Sequence, residues 1–183
     1  AVFDDSSSGT LTLQNNTLPS KRLKLNPLTF THGDTALRVT HKDHGMYNTS
    51  NNVTISGVSS GLSTTLSAAI TSTATSLTLT SGTNFSNTTG KFAGTTDSTS
   101  RYYIKIDDEI MYYETISTTS VSSLVRAQEG TTAAAHAAGA TVEFFQLHKV
   151  PLSQVNKTHT AIGNIDLDSY TVTLTSSPAF DGG

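Results

Sequence analysis

Apolar and polar residues alternate with a period of two along most of this chain. Leu11 and Leu13 alternate with Thr10, Thr12 and Gln14, and Leu37 and Val39 stand against Arg38 and Thr40. Val53 and Ile55, Leu77 and Leu79, and Val142, Phe144 and Gln146 repeat the pattern. Successive side chains of a strand point to opposite faces, so this period predicts half-buried β-strands. Strands are expected over residues 28–31, 36–40, 52–57, 76–80, 102–106, 109–116, 121–127, 140–146, 159–165 and 169–175. His32-Gly33-Asp34 and Asp107-Asp108 read as hairpin turns, and Asp166-Leu167-Asp168 as the turn of a hairpin joining the last two strands. Pro151 to Asn156 reads as a loop or a single helical turn. One segment breaks the pattern. Residues 130–139 are alanine-rich, with Thr131 or Thr132 placed to cap a helix and Gly139 placed to end it, so a helix of at most two turns is expected there.

Punctuation divides the chain. Residues 1–27 read as an extended N-terminal arm with a flexible Ser6-Ser7-Ser8-Gly9 stretch, closed by Asn26-Pro27. Residues 28–67 read as one β unit and residues 68–146 as another, the latter holding a long polar loop near residues 81–100 anchored by Phe85 and Phe92. Residues 147–177 return to the style of the first unit, and residues 178–183 read as a linker.

Composition narrows the function classes. Charged residues make up 14% of the 183 residues, against about 25% in an average soluble domain. Thr, Ser and Asn fill the gap, which suits strands and turns. The net charge is −3 and no basic stripe is present, so nucleic acid is not an expected partner. Lys21, Arg22 and Lys24 form the densest basic cluster and read as a solvated face. The absence of cysteine removes disulfides, thiolate metal sites and cysteine nucleophiles. No run of 18 apolar residues exists, so no membrane insertion is expected. Asn-x-Ser/Thr sequons at Asn15, Asn48, Asn52, Asn84, Asn87 and Asn156 are what chance gives in a chain of this composition.

Two sets of residues resemble modules of bacteriophage virion proteins. The first set is split. His41-Lys-Asp-His-Gly-Met46 and Asn52-Val-Thr-Ile-Ser-Gly-Val58 lie before residues 59–149. Val150-Pro-Leu-Ser-Gln-Val-Asn-Lys-Thr-His159 and Ile165-Asp-Leu-Asp-Ser-Tyr-Thr-Val172 lie after them. The second set fills the interval, with Ala74-Thr-Ser-Leu-Thr-Leu79, Ile106-Asp-Asp-Glu-Ile-Met-Tyr112 and then Val125-Arg-Ala-Gln-Glu-Gly-Thr131 running through His136 to Gly139-Ala-Thr-Val142. The pairing looks most like structural proteins of contractile-tailed phages of marine cyanobacteria. The resemblance implies an all-β chain of two small β-barrel or sandwich modules, the second inserted into the first. It carries no catalytic residue.

His41 and His44, with Asp43 between them and His32 nearby, are the weak metal candidates. Paired histidines at that spacing suit a helix, whereas this segment reads as a strand end and turn, so a backbone-bonded turn is the favoured role. His136 is expected to bond a backbone carbonyl, and Arg126 to make a salt bridge or a carbonyl contact near Glu129. Asp107, Asp108 and Glu109 form the densest acidic cluster. Adjacent strand residues point to opposite faces, so Asp108 and Glu109 make a poor catalytic pair. Turn formation accounts for them and for Asp166 and Asp168, which lack the ligand density of a calcium loop. No Gly-x-Ser-x-Gly elbow or phosphate-binding glycine loop occurs. Tyr102, Tyr103, Tyr112 and Tyr113 are the interface candidates, one of each pair being expected to face outward.

The expected function is therefore that of a non-enzymatic virion component of a tail, baseplate or fibre attachment. It would have no cofactor and would be assembled in the host cytoplasm through self-association and contacts with other virion proteins. The alternative is a receptor- or glycan-binding domain that meets a host-surface glycan.

Overall fold

The computed structural model describes residue 23, residues 26–83, residue 85 and residues 101–182. The expected Leu11–Leu13 strand, the Lys21, Arg22 and Lys24 cluster, most of the 81–100 loop and Phe92 lie outside the described residues.

The chain is all-β, with short strands. They are β1 (Leu28–Thr29), β2 (Ala36–Thr40), β3 (Val53–Thr54), β4 (Ser63–Thr65), β5 (Leu77–Thr78), β6 (Tyr102–Ile106) and β7 (Glu109–Tyr113). They continue with β8 (Thr115–Ser117), β9 (Ser120–Ser122), β10 (Thr141–Phe144), β11 (Gln146–Leu147), β12 (Val150–Pro151), β13 (Thr158–His159) and β14 (Ser169–Thr173). A single 3₁₀ turn at Leu152–Gln154 realises the helical turn expected near Pro151. The sheets are open and run β1-β2-β14, β4-β10-β6-β7, β5-β9-β8, β11-β12 and β13-β3. Of the expected barrel or sandwich, no closed barrel forms among the described residues. Closure needs continuous pairing around a ring of staggered strands, and among the described residues no sheet exceeds four strands.

Alternation decides what each strand buries. In β2, Leu37 and Val39 are buried while Arg38 and Thr40 are exposed. Tyr170 and Val172 of β14 stand opposite Val39 and Leu37 and join the same apolar layer. That layer gathers Leu28, Phe30, Val150, Val155, Ile162 and Leu174, with Val53, Ile55 and Val58 packed beside it. A second cluster gathers Leu66, Leu77, Leu79, Ile104, Ile106, Met111, Val142 and Phe144. Leu62 and Leu66, which the sequence pattern assigns to the first unit, pack in this second cluster because β4 pairs with β10.

Two expected elements do not form. Residues 130–139 form no helix: they run irregularly between turns at Gly130 and Gly139, with a single bridge at His136. The Ala134 N–H is held by Glu109, and His136 forms a two-way backbone bridge to Ile70 at 3.0 and 2.9 Å. The Gly139 N–H binds the Leu66 carbonyl at 2.8 Å. A two-turn helix is marginal alone, and these bonds outcompete it. The hairpin expected between residues 159–165 and 169–175 is also replaced. His159 pairs with Val53, and Ser169–Thr173 pairs with Ala36–Thr40, leaving only an isolated Gly163–Thr171 bridge. The five-residue ladder with β2 places Tyr170 and Val172 in the core. Asn164, at φ 40°, turns the rival strand aside.

Candidate functional site

The densest polar constellation is built on the β6–β7 hairpin. Its two-residue turn, Asp107-Asp108, places Asp107 in the left-handed region at φ 51°. Glu109 follows and is only 1% exposed. Its Oε1 accepts hydrogen bonds from Arg126 Nε at 2.8 Å and from the Ala127 N–H at 3.1 Å. Its Oε2 accepts from Arg126 Nη2 at 2.7 Å and from the Ala134 N–H at 3.0 Å, and lies 2.9 Å from His136 Nε2. Arg126 also donates to the carbonyls of Thr71 and Ala134, at 2.7 and 2.5 Å. The other ring nitrogen of His136 lies 2.8 Å from Asp107 Oδ2. Ionised carboxylates only accept, so both ring contacts are hydrogen bonds when the ring carries two protons.

Burial pushes the Glu109 carboxyl up. The Arg126 guanidinium, the Ala134 N–H, the His136 ring and the Ala127 N–H together outweigh it and hold the group at about 2. A carboxyl so depressed is ionised near neutrality and cannot serve there as a general acid; it is also a weak base. The constellation is a structural latch: one buried carboxylate ties the β7 strand to a loop more than fifteen residues away.

Sequence reasoning reached part of this. Arg126 makes both a salt bridge and carbonyl contacts, as expected, and its salt-bridge partner is Glu109. The expected carbonyl contact of the His136 ring is corrected: the ring is held between two carboxylates. Each ring nitrogen aims at one carboxylate oxygen, and among the described residues no group of three or more His, Asp or Glu is arranged to hold a metal ion.

The split motif is reassembled in space. His44 is 2% exposed. Its Nε2 lies 2.8 Å from the Asp166 carbonyl, and its Nδ1 accepts the Met46 N–H at 2.9 Å. That pattern fixes the tautomer with the proton on Nε2 and makes His44 a clasp between two turns. The ring of His41 lies 5.8 Å from that of His44, centroid to centroid. Asn156 mimics a strand partner, accepting the Val58 N–H at 3.0 Å and donating to the Val58 carbonyl at 2.8 Å. Replacing His44 with alanine removes two partly buried bonds and is expected to cost about 1–3 kcal/mol. A urea midpoint unchanged from wild type would show that the clasp contributes nothing.

The four tyrosines divide by alternation, though with less exposure than expected. Tyr102 and Tyr113 stack in the second cluster with centroids 5.3 Å apart. Tyr103 and Tyr112 occupy the opposite face, 5.8 Å apart, with the Arg101 guanidinium 4.7 Å from the Tyr112 ring centre. Tyr112 is nevertheless buried and Tyr103 half-buried. Of the four interface candidates, only Tyr103 retains appreciable access to solvent.

A small polar depression of about 140 Å³ is lined by Arg38, Asn164, Asp166, Ser169 and Thr171. The Ser169 hydroxyl and the Asp168 N–H hold the exposed Asp166 carboxyl below its ordinary range. These bonds shape the turn that His44 clasps. No protein-family model, curated protein or solved structure matches the chain.

Proposed function

We propose that this chain is a non-enzymatic structural component of a phage virion, of the tail, baseplate or fibre attachment, built from one β module inserted in another and working through assembly. The observation that carries this reading is that the residues bearing the resemblance are partners of one another. His44 binds the turn at Asp166, Asn156 pairs with Val58, and β3 pairs with β13 across the interval of residues 59–149. Within that interval Asp107, Glu109, Arg126 and His136 bond one another. Their chemistry is consumed in holding shape, which is what an assembly part requires. The glycan-binding alternative leans on outward tyrosines, and three of the four are buried.

The test is immunogold labelling of purified phage particles with an antibody against this chain. Label confined to the tail or baseplate of every particle is expected. Chain present in the lysate but absent from washed particles would overturn the reading.

A further inference from the structure

The outer edge of β7 is occupied by a segment that is not a regular strand. The Tyr112 N–H binds the Val125 carbonyl at 3.1 Å, and the Val125 N–H binds the Tyr112 carbonyl at 2.8 Å. The Gln128 N–H reaches the Ile110 carbonyl at 2.7 Å, and Thr131 Oγ1 accepts the Ile110 N–H at 3.1 Å. All four outward backbone groups of Ile110 and Tyr112 are therefore taken by residues 125–131. The segment then bends away, with Ala127 at φ 55°, Glu129 at φ 53° and Gly130 at φ 79°. A bent segment cannot present a fresh edge of its own. The strand beneath it is different. Glu109-Ile110-Met111-Tyr112-Tyr113 is buried at every position, favours strand and carries a single charge.

We propose that residues 124–131 form an autoinhibitory strap, which by holding the β7 edge keeps a second copy of this chain from adding its own β7 there. An uncovered edge of this composition is self-complementary. Two β7 strands can pair antiparallel about a two-fold axis, so that main-chain bonds supply the affinity and the sheet β4-β10-β6-β7 runs on into its mate. The latch at Glu109 keeps the strap seated, because the same carboxylate binds Arg126 and the Ala127 N–H. The proposal is independent of the virion reading, which is tested on particles.

Val125 is 38% exposed, and Val125→Pro removes the N–H that binds Tyr112. The variant is expected to sediment at twice the mass of the wild-type species at equal concentration, with hydrogen exchange at the Tyr112 amide slowing as concentration rises. A variant that keeps the wild-type mass while its Tyr112 amide exchanges freely would overturn the proposal. So would added mass with exchange at Tyr112 independent of concentration. Should Val125→Pro lose its β circular-dichroism signal, Arg126→Lys, which keeps the charge and gives up the paired bonds to Glu109, is read in the same two assays.

Discussion

Replacing Glu109 with leucine is expected to destabilise the fold by about 3–5 kcal/mol, the cost of stranding a buried charge when its partner is removed. The Arg126 side chain is 9% exposed and that of His136 2%. Both would keep their places with no carboxylate to meet, and the N–H groups of Ala127 and Ala134 would lose their acceptors. Urea midpoints of wild type and variant measure the loss, and equal midpoints would refute the latch. The same carboxylate sets an acid limit. Its folded value of about 2 lies below the 4.5 of the free group, so the stabilisation is complete above about pH 4.5 and is lost as pH falls toward 2. The difference amounts to about 3 kcal/mol. Other carboxylates titrate in the same window, so the measurement is a comparison. Glu109→Gln should start less stable at pH 7 and lose less than wild type between pH 4.5 and 2. Parallel curves for the two proteins would sink the assignment.

The class of fold was legible because alternation is a local property. Leu37, Val39, Val142 and Phe144 are buried where a period of two puts them. What alternation cannot give is which strand lies beside which. The run Ser169–Thr173 is as suited to a hairpin with residues 159–165 as to β2, and the choice depends on packing that no short window contains. The helix expected at 130–139 failed for a related reason. Alanine preference is worth tenths of a kcal/mol per residue, and bonds from Glu109, Ile70 and Leu66 arrive from distant parts of the chain. The latch itself was half visible. Comparing Asp108 with Glu109 dismisses the acidic cluster, since neighbours diverge. Asp107 in the turn and Glu109 at the start of β7 instead meet through His136, which contacts both. The tyrosines show the limit of the same rule: it separates Tyr102 and Tyr113 from Tyr103 and Tyr112, but it cannot foresee that Tyr112 will be buried on the second face, with the Arg101 guanidinium against its ring.

Replacing Phe144 with alanine is expected to cost about 3–5 kcal/mol, in the range seen when a large aromatic leaves a cavity in a core. Phe144 lies on the inner face of β10, 1% exposed, and meets Phe85 edge-on with centroids 5.6 Å apart. Phe85 in turn offers its carbonyl to the Tyr113 hydroxyl at 2.6 Å, a bond buried with its partners. Burial pushes that phenol upward, so it stays protonated and remains a donor. The Phe144 ring therefore packs against the residue whose carbonyl satisfies Tyr113. If Phe85 shifts when the ring is removed, Tyr113→Phe should cost less in the Phe144→Ala background than in wild type. A double-mutant cycle on urea unfolding reads that coupling, expected at about 0.5–3 kcal/mol for residues sharing a network. Strict additivity would mean that Phe85 is held in place without Phe144, and that the ring contributes only its own volume to the cluster.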